Sequence, residues 1–313
     1  RVRPHEAIDL LSKKAQSEKH HNAGYMFYET SYGYNFKSYE SLLAGTNAVA
    51  RPVVARYEYK TIGQRDEKGN KDVISDMQVI MDYKVIEQTN TLKNSRNGVY
   101  ASRLISHDAF SKKFDVIDFD YHNEYEKSFH TEHGQDGGKT EYKSIAPMVN
   151  VEDQKFVSDY PEGVLIYKSD TSNKFESTAG FDSKVTHQKR MSQKMAFESF
   201  KLELTLNGFT GLSCGDLVSV VLPAFTPADD GNPLDTDPYM SGRYLVSTIH
   251  HEISPTFNKH IMNVEVCKDA VRTAYPDEVI DTFTGKEKED RGVINQYTID
   301  ELLVDGHNPK IMG

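Results

Sequence analysis

Tryptophan is absent from the 313 residues, and cysteine occurs only twice, as Cys214 and Cys267. Two cysteines are too few for a disulfide framework or for a structural zinc site built from thiolates. We therefore expect two buried thiols rather than a bridge. No apolar run approaches the roughly 18 residues that a membrane-spanning helix needs, so the sequence predicts no transmembrane segment and no secretory signal peptide.

Basic residues are also in short supply: 37 lysines and arginines stand against 47 aspartates and glutamates, giving a formal net charge of −10. Because DNA phosphates are bound by basic surfaces, this balance argues against sequence-specific nucleic-acid binding. An acidic surface fits solubility, or a wall along which DNA passes without binding. The 18 tyrosines and 15 phenylalanines indicate a β-rich chain packed with aromatic side chains. The length suggests about two domains.

The clearest secondary-structure pattern lies in the last third of the chain. Apolar and polar residues alternate from Phe200 to Leu206, which is typical of a strand with one buried face. A helix and four strands are predicted there, at 188–198, 200–206, 217–222, 243–253 and 259–267. Strands separated by turns in this way indicate an antiparallel barrel or sandwich. The candidate barrel-core and assembly residues are Phe200, Leu202, Leu204, Leu206, Val218, Val220, Val246 and Val264.

The first two thirds of the chain give shorter signals. Pro4 and the spacing of Ile8, Leu11 and Ala15 predict a helix at 4–16. Residues 73–96 fit either a strand or a helix. A hairpin and three further strands are predicted at 25–38, 53–60, 99–105 and 114–121, and polar loops at 63–72 and 122–140.

One motif suggests a catalytic serine. Gly211, Ser213 and Gly215 match the G-x-S-x-G pattern of a nucleophile elbow. That elbow needs a strand before the serine and a helix after it, whereas the valines that follow here favour a second strand. We therefore interpret the segment as a β-turn and predict no enzyme activity.

Three other patterns match a binding site only in part. The glycine-rich stretch 133–140 resembles a phosphate loop but is one residue short, so a loop is expected. His250 and His251 point to opposite faces of a strand and are unsuited to binding one ion together. The acidic clusters at 229–232 and 235–237 miss the EF-hand spacing, although calcium binding there stays open. We predict no cofactor and no metal.

Several segments resemble baseplate central hub proteins of T-even-type contractile-tailed phages, which are related to the base of type VI secretion spikes. The resemblance covers roughly residues 1–270 and is closest at 188–267. It rests on the order of a helix RMSQKMA, a strand FKLELTL, the segment NGFTGLSCGDLVSVVLP, and the strands RYLVSTIHHEI and IMNVEVC. Asn207-Gly208, Gly215-Asp216 and Ile249 to Glu252 match the family's turns and strand end.

The resemblance implies a fold and a division of the chain. We expect a β-rich α+β protein with an antiparallel β-barrel that is discontinuous in sequence, formed by 71–125 and 188–270. A mixed helical and β domain, formed by 1–70 and 126–187, would adjoin the barrel. Residues 271–313 would form an extended C-terminal arm or tail, which either orders on a partner or stays disordered.

The resemblance also implies a function, that of a homotrimeric ring with two similar barrels per subunit. Such a ring adapts the sixfold tail tube to the threefold central spike and lets DNA pass. The family's other barrel lies upstream of the helix at 4–16, and because this sequence starts at Arg1 we expect a fragment or a processed product. The implied partners are the central spike protein, the tail tube, and baseplate wedge or tape-measure proteins. The implied location is the tail baseplate of the virion, assembled in the host cytoplasm without membrane insertion. A tail-associated cell-wall hydrolase and a host-surface binding module are the alternatives.

Overall fold

The structure is a computed structural model, and it describes residues 2–13, 15–17, 24–44, 51–60, 76–108, 112–125, 127–132, 146–150, 155–169, 183–224, 236–237 and 239–271. Four segments predicted from the sequence lie wholly or almost wholly outside these residues. They are the loop at 63–72, the glycine-rich stretch 133–140, the acidic cluster 229–232 and the arm at 271–313, of which only Val271 is described.

The helices are α1 (Pro4–Ser12), α2 (Tyr39–Leu43), α3 (Thr91–Arg96), α4 (Tyr121–Tyr125) and α5 (Ser183–Glu198). The first nine strands are β1 (Tyr25–Thr30), β2 (Gly33–Ser38), β3 (Ala55–Glu58), β4 (Ile80–Glu87), β5 (Ala101–Asp108), β6 (Lys113–Asp120), β7 (Met148–Asn150), β8 (Lys155–Phe156) and β9 (Leu165–Ser169). The last four are β10 (Lys201–Asn207), β11 (Leu217–Val221), β12 (Gly242–Ser254) and β13 (Lys259–Cys267). None of the described helices has the length and apolar character to cross a membrane.

The largest sheet has six strands in the order β3-β11-β12-β13-β10-β4. All of its pairings are antiparallel except that of β3 with β11, which is parallel. The sheet is curled, and its two outermost strands, β3 and β4, come together at one end. Glu58 at the end of β3 forms a β-bridge there with Val79, which lies just before β4. There the Glu58 backbone N–H donates to the Gln78 carbonyl oxygen at 3.1 Å. The result is a partly closed, mixed barrel.

The interior of this barrel is built by alternation along its strands. In β10, Leu202, Leu204 and Leu206 are completely buried, whereas the residues between them are half-buried. This is the alternation that the sequence predicts for the strand, because successive side chains point to opposite faces of a sheet. Residues from all six strands contribute to the same apolar cluster.

Smaller sheets surround the barrel. β1 and β2 form a hairpin, β7 pairs with β8, and a three-stranded sheet has the order β6-β5-β9. In that sheet β5 is antiparallel to β6 and parallel to β9. The inner face of β5 packs on α5. The Gln188 side-chain amide donates to the Ser102 carbonyl oxygen at 2.8 Å. The Ser192 hydroxyl donates to the carbonyl oxygen of Val99, just before β5, at 2.7 Å.

The observed class confirms the predicted β-rich α+β fold with a barrel that is discontinuous in sequence. Two strand assignments need correction. β3 joins the barrel, although residues 1–70 were expected in the adjoining domain. β5 and β6 form a separate sheet with β9, although residues 71–125 were expected in the barrel. Both errors have one cause: β3 and β5 make parallel pairs with strands far along the chain, and no local turn signals such a pair. The division into domains itself stays a prediction.

Candidate assembly interface

The eight candidate core and assembly residues all lie inside the barrel. Each of them is between 0% and 8% exposed, and they belong to one apolar cluster with residues of β3 and β4. A side chain in this interior contacts other strands of its own chain. The residues therefore build the barrel, and any role of theirs in assembly stays a prediction that depends on the barrel being formed.

The G-x-S-x-G segment forms a turn that leads into β11, so the helix required by a nucleophile elbow is replaced by a strand. The Ser213 backbone N–H donates to Asp216 Oδ2 at 2.9 Å, which closes the turn. Gly215 has a φ of +84°, and a Cβ there would lie 2.5 Å from the Tyr28 hydroxyl oxygen. The glycine is thus required by the turn and by the packing of β1 on the barrel.

The two cysteines are both free, with Cys267 buried and Cys214 half-buried. Burial raises the pKa of Cys267 to about 12, so this thiol is protonated at neutral pH. Among the described residues, no three histidine, cysteine or acidic side chains gather as a metal site would require. The closest approach of histidines on β12 and β13 is that of His251 Nδ1 to His260 Nε2, at 3.1 Å, on an exposed part of the hairpin.

A buried ion pair joins the segment after α4 to the end of β13. His130 Nδ1 lies 2.8 Å from Asp269 Oδ2, and its Nε2 lies 2.8 Å from the Tyr125 carbonyl oxygen. Because both partners are acceptors, both ring nitrogens carry hydrogen in this arrangement. The Thr131 backbone N–H and hydroxyl donate to the other carboxylate oxygen at 3.0 and 2.9 Å. Burial alone raises the pKa of Asp269, but the charge and hydrogen bonds of these neighbours outweigh it, so the pKa is lowered.

Lys268, next to this pair, is only 1% exposed. Its ammonium donates to the carbonyl oxygens of Tyr239 and of Ser241, the latter at 3.2 Å. It also lies 4.9 Å from the ring centroid of Phe200 and 4.8 Å from that of Tyr244. Burial lowers the pKa of Lys268 to about 8. The cavity beside it has a volume of about 40 Å³, whereas ligand pockets have roughly 300–1,000 Å³, so it suits a water molecule rather than a substrate.

Two surfaces expose apolar side chains together. The first, which we call the sheet face, is the side of the β6-β5-β9 sheet that points away from α5. Cross-strand pairing sets Val116, Ile105 and Tyr167 side by side there. Its most exposed apolar members are Phe114 (64%), Val116 (59%), Leu165 (63%) and Tyr167 (64%). Two charges within the face neutralise each other, because Arg103 on β5 binds both carboxylate oxygens of Asp118 on β6 at 2.7 and 2.8 Å.

The second surface, which we call the helix–hairpin face, is formed by α1 and the outer side of the β1–β2 hairpin. The hairpin carries two stacked aromatic pairs, Tyr25 with Phe36 and Phe27 with Tyr34. Tyr34 (68%) and Phe36 (43%) are exposed on the hairpin. Leu10 (52%) and Leu11 (62%) are exposed on α1, which contacts the hairpin where the rings of His5 and Phe27 lie 6.1 Å apart. The other side of the hairpin is covered, since Met26 and Tyr28 pack against a buried cluster beside the barrel.

No pattern in the sequence predicts a function for these surfaces or for the buried pair. Alternation in 25–30 and 114–121 indicated strands, but a strand's sequence does not say which of its faces the rest of the chain covers. His130 and Asp269 are 139 positions apart, and neither belongs to a motif.

Comparisons with known proteins give distant matches only. No family model matches the chain, and no curated protein matches it. Among solved structures, the chain is similar to the tail protein from Neisseria meningitidis MC58, with 12% identity, a TM-score of 0.32, and coverage of 72% of this chain and 46% of that one. It is also similar to the 43 kDa tail protein of prophage MuSo2 from Shewanella oneidensis, with 11% identity, a TM-score of 0.36, and coverage of 84% and 53%. Both are tail proteins. The chain spans about half the length of each.

Proposed function

We propose that this chain is a structural component of a phage tail, located in the central hub of the baseplate and assembled in the host cytoplasm. It forms a homotrimeric ring that adapts the sixfold tail tube to the threefold central spike. DNA passes through the ring, and the neighbours of the ring are the spike, the tube, and wedge or tape-measure proteins. The chain carries out no catalysis, requires no cofactor, reads no nucleic-acid sequence and does not insert into a membrane.

The observation that carries this proposal is the barrel built from two separate parts of the chain. The resemblance to baseplate hub proteins implies a discontinuous barrel whose second part follows a helix. In this chain β10, β11, β12 and β13 follow α5 along the sequence. β3 and β4, which come from a distant part of the sequence, complete the curled sheet. Since fold alone does not fix function, the proposal depends on this order together with the resemblance.

The charge of the chain supports passage of DNA rather than binding. A formal net charge of −10 disfavours the binding of phosphates to the surface of the chain on average. The turn at Ser213 supports a role without catalysis, because the strand that follows removes the geometry of a serine hydrolase.

Light scattering coupled to size-exclusion chromatography tests the proposal. A hub subunit is expected at three times the monomer mass of 35.5 kDa, and a strict monomer at micromolar concentration contradicts it. Cell-wall zymograms and glycan arrays run on the same preparation test the two alternatives. Lysis of the cell wall by the purified chain would favour the hydrolase, and binding to defined glycans would favour the host-surface module.

A further inference from the structure

The sheet face and the helix–hairpin face lie on opposite sides of α5. Gln188 and Ser192 of this helix contact the three-stranded sheet. Arg190 donates to the Lys13 carbonyl oxygen just after α1, and Phe197 stacks on Tyr39 of α2, with ring centroids 5.1 Å apart. At 3.6 residues per turn, positions 188 and 192 lie on one side of a helix and positions 190 and 197 on the other. α5 therefore separates the two apolar faces.

The two faces are comparable in size. Aromatic side chains bury roughly 150–250 Å² each and aliphatic ones less, so the four exposed side chains of each face together present on the order of 400 Å². A monomer's largest apolar patch is typically ~300–600 Å², and each of these two faces on the described residues falls within that range. A standard interface buries roughly 800 Å² per partner, so either face supplies about half of one.

We propose that the sheet face of one subunit packs against the helix–hairpin face of the next copy of this chain. This inference rests on the trimer proposed above and names its contact. If the sheet face paired with itself in a twofold dimer, the helix–hairpin face would stay exposed to water in both copies. A head-to-tail contact covers both faces in every subunit, and it closes into a ring when the rotation between copies is 120°. The Arg103–Asp118 pair can be covered by the next copy without leaving either of its two charges unpaired.

Two double variants separate the faces. Val116→Lys with Leu165→Lys charges the sheet face, and Leu11→Lys with Tyr34→Lys charges the helix–hairpin face. All four positions are exposed in the subunit, so the variants should fold, and far-UV circular dichroism with thermal unfolding verifies this. Phe257→Lys is the matched control, because Phe257 is 80% exposed but lies at the tip of the β12–β13 hairpin.

Sedimentation equilibrium over a concentration series measures the masses. We expect a trimer for the wild type and for Phe257→Lys, and a monomer for each double variant alone. An equimolar mixture of the two double variants should form a heterodimer of twice 35.5 kDa, because each then supplies the intact face that the other lacks. The heterodimer cannot grow, since both of its free faces are charged.

Two results would overturn the inference while leaving the trimer intact. One is a trimeric mass for either double variant alone, and the other is a mixture that stays monomeric. A dimer from either double variant alone would indicate self-pairing of the unchanged face and would also overturn it. A wild type that is itself monomeric instead contradicts the proposed function, and with it the contact proposed here.

Discussion

Replacing Lys268 with methionine should change how the stability of the protein depends on pH. Methionine keeps the apolar stem of the side chain and removes the ammonium group. That group is buried against two carbonyl oxygens and two aromatic rings. The nearby charges of Glu132 and Asp237 favour its charged form, but burial outweighs them and lowers the pKa from 10.5 to about 8.

The sign of the effect follows from proton binding. Between the folded-state pKa of about 8 and the unfolded-state value of 10.5, the unfolded chain binds more protons at Lys268 than the folded chain does. The free energy of unfolding therefore rises with pH across this window. At 1.36 kcal/mol per pKa unit, the wild type should gain about 2 kcal/mol relative to Lys268→Met between about pH 7.5 and pH 10.

Urea unfolding followed by far-UV circular dichroism at several pH values measures this difference. Tyrosines and cysteines that also titrate in this range are present in both proteins, so their contributions cancel in the comparison. At pH 7.5 the variant should be about as stable as the wild type, because the cost of the buried charge is removed along with its hydrogen bonds. A wild-type advantage that stays constant from pH 7.5 to 10 would refute the reasoning.

Six further substitutions, in three groups, test the barrel and its attachments by chemical denaturation. Leu204→Ala should lower the free energy of unfolding by about 3 kcal/mol, and Leu204→Lys should prevent folding. Lys201 is half-exposed, so Lys201→Glu should lower it by less than about 1 kcal/mol. Equal effects at both positions would show that the register of β10 is wrong. Asp269→Asn should cost about 3 kcal/mol, because His130 loses its buried partner, and a neutral result would contradict the charged pair. Gly215→Ala should lower the free energy of unfolding by about 1–3 kcal/mol, because of the positive φ at this position and the close approach of Tyr28. Ser213→Ala should change it by less than about 0.5 kcal/mol. A large loss of stability in Ser213→Ala alone would contradict the turn interpretation.

The sequence was sufficient where strands follow one another closely and alternate cleanly. β1 and β2 lie within the hairpin predicted at 25–38, and β13 occupies the predicted residues 259–267. β10 lies at 201–207 against a predicted 200–206, and β11 ends one residue before the predicted 222. In these strands a buried face alternates with a polar one, and glycine or asparagine marks the turns. Gly98, with a φ of +73°, follows the end of α3 as the C-terminal glycine signal indicates.

Long-range contacts set the limit of the prediction. Residues 73–96 fitted either a strand or a helix, and the chain forms both, β4 and α3. The parallel pair of β3 with β11 joins segments more than 150 positions apart, and the pair of His130 with Asp269 is similarly distant. α5 begins at Ser183 rather than at residue 188. None of these features follows from local periodicity, because each depends on which surfaces meet in the folded chain.

Electron microscopy of the purified protein tests the central claim most directly. Class averages viewed down the symmetry axis should show a closed ring of three subunits around an open lumen. Threefold averages would support a hub that joins a threefold spike to the tail tube. Single particles of monomer size, or twofold dimers without a lumen, would contradict the account.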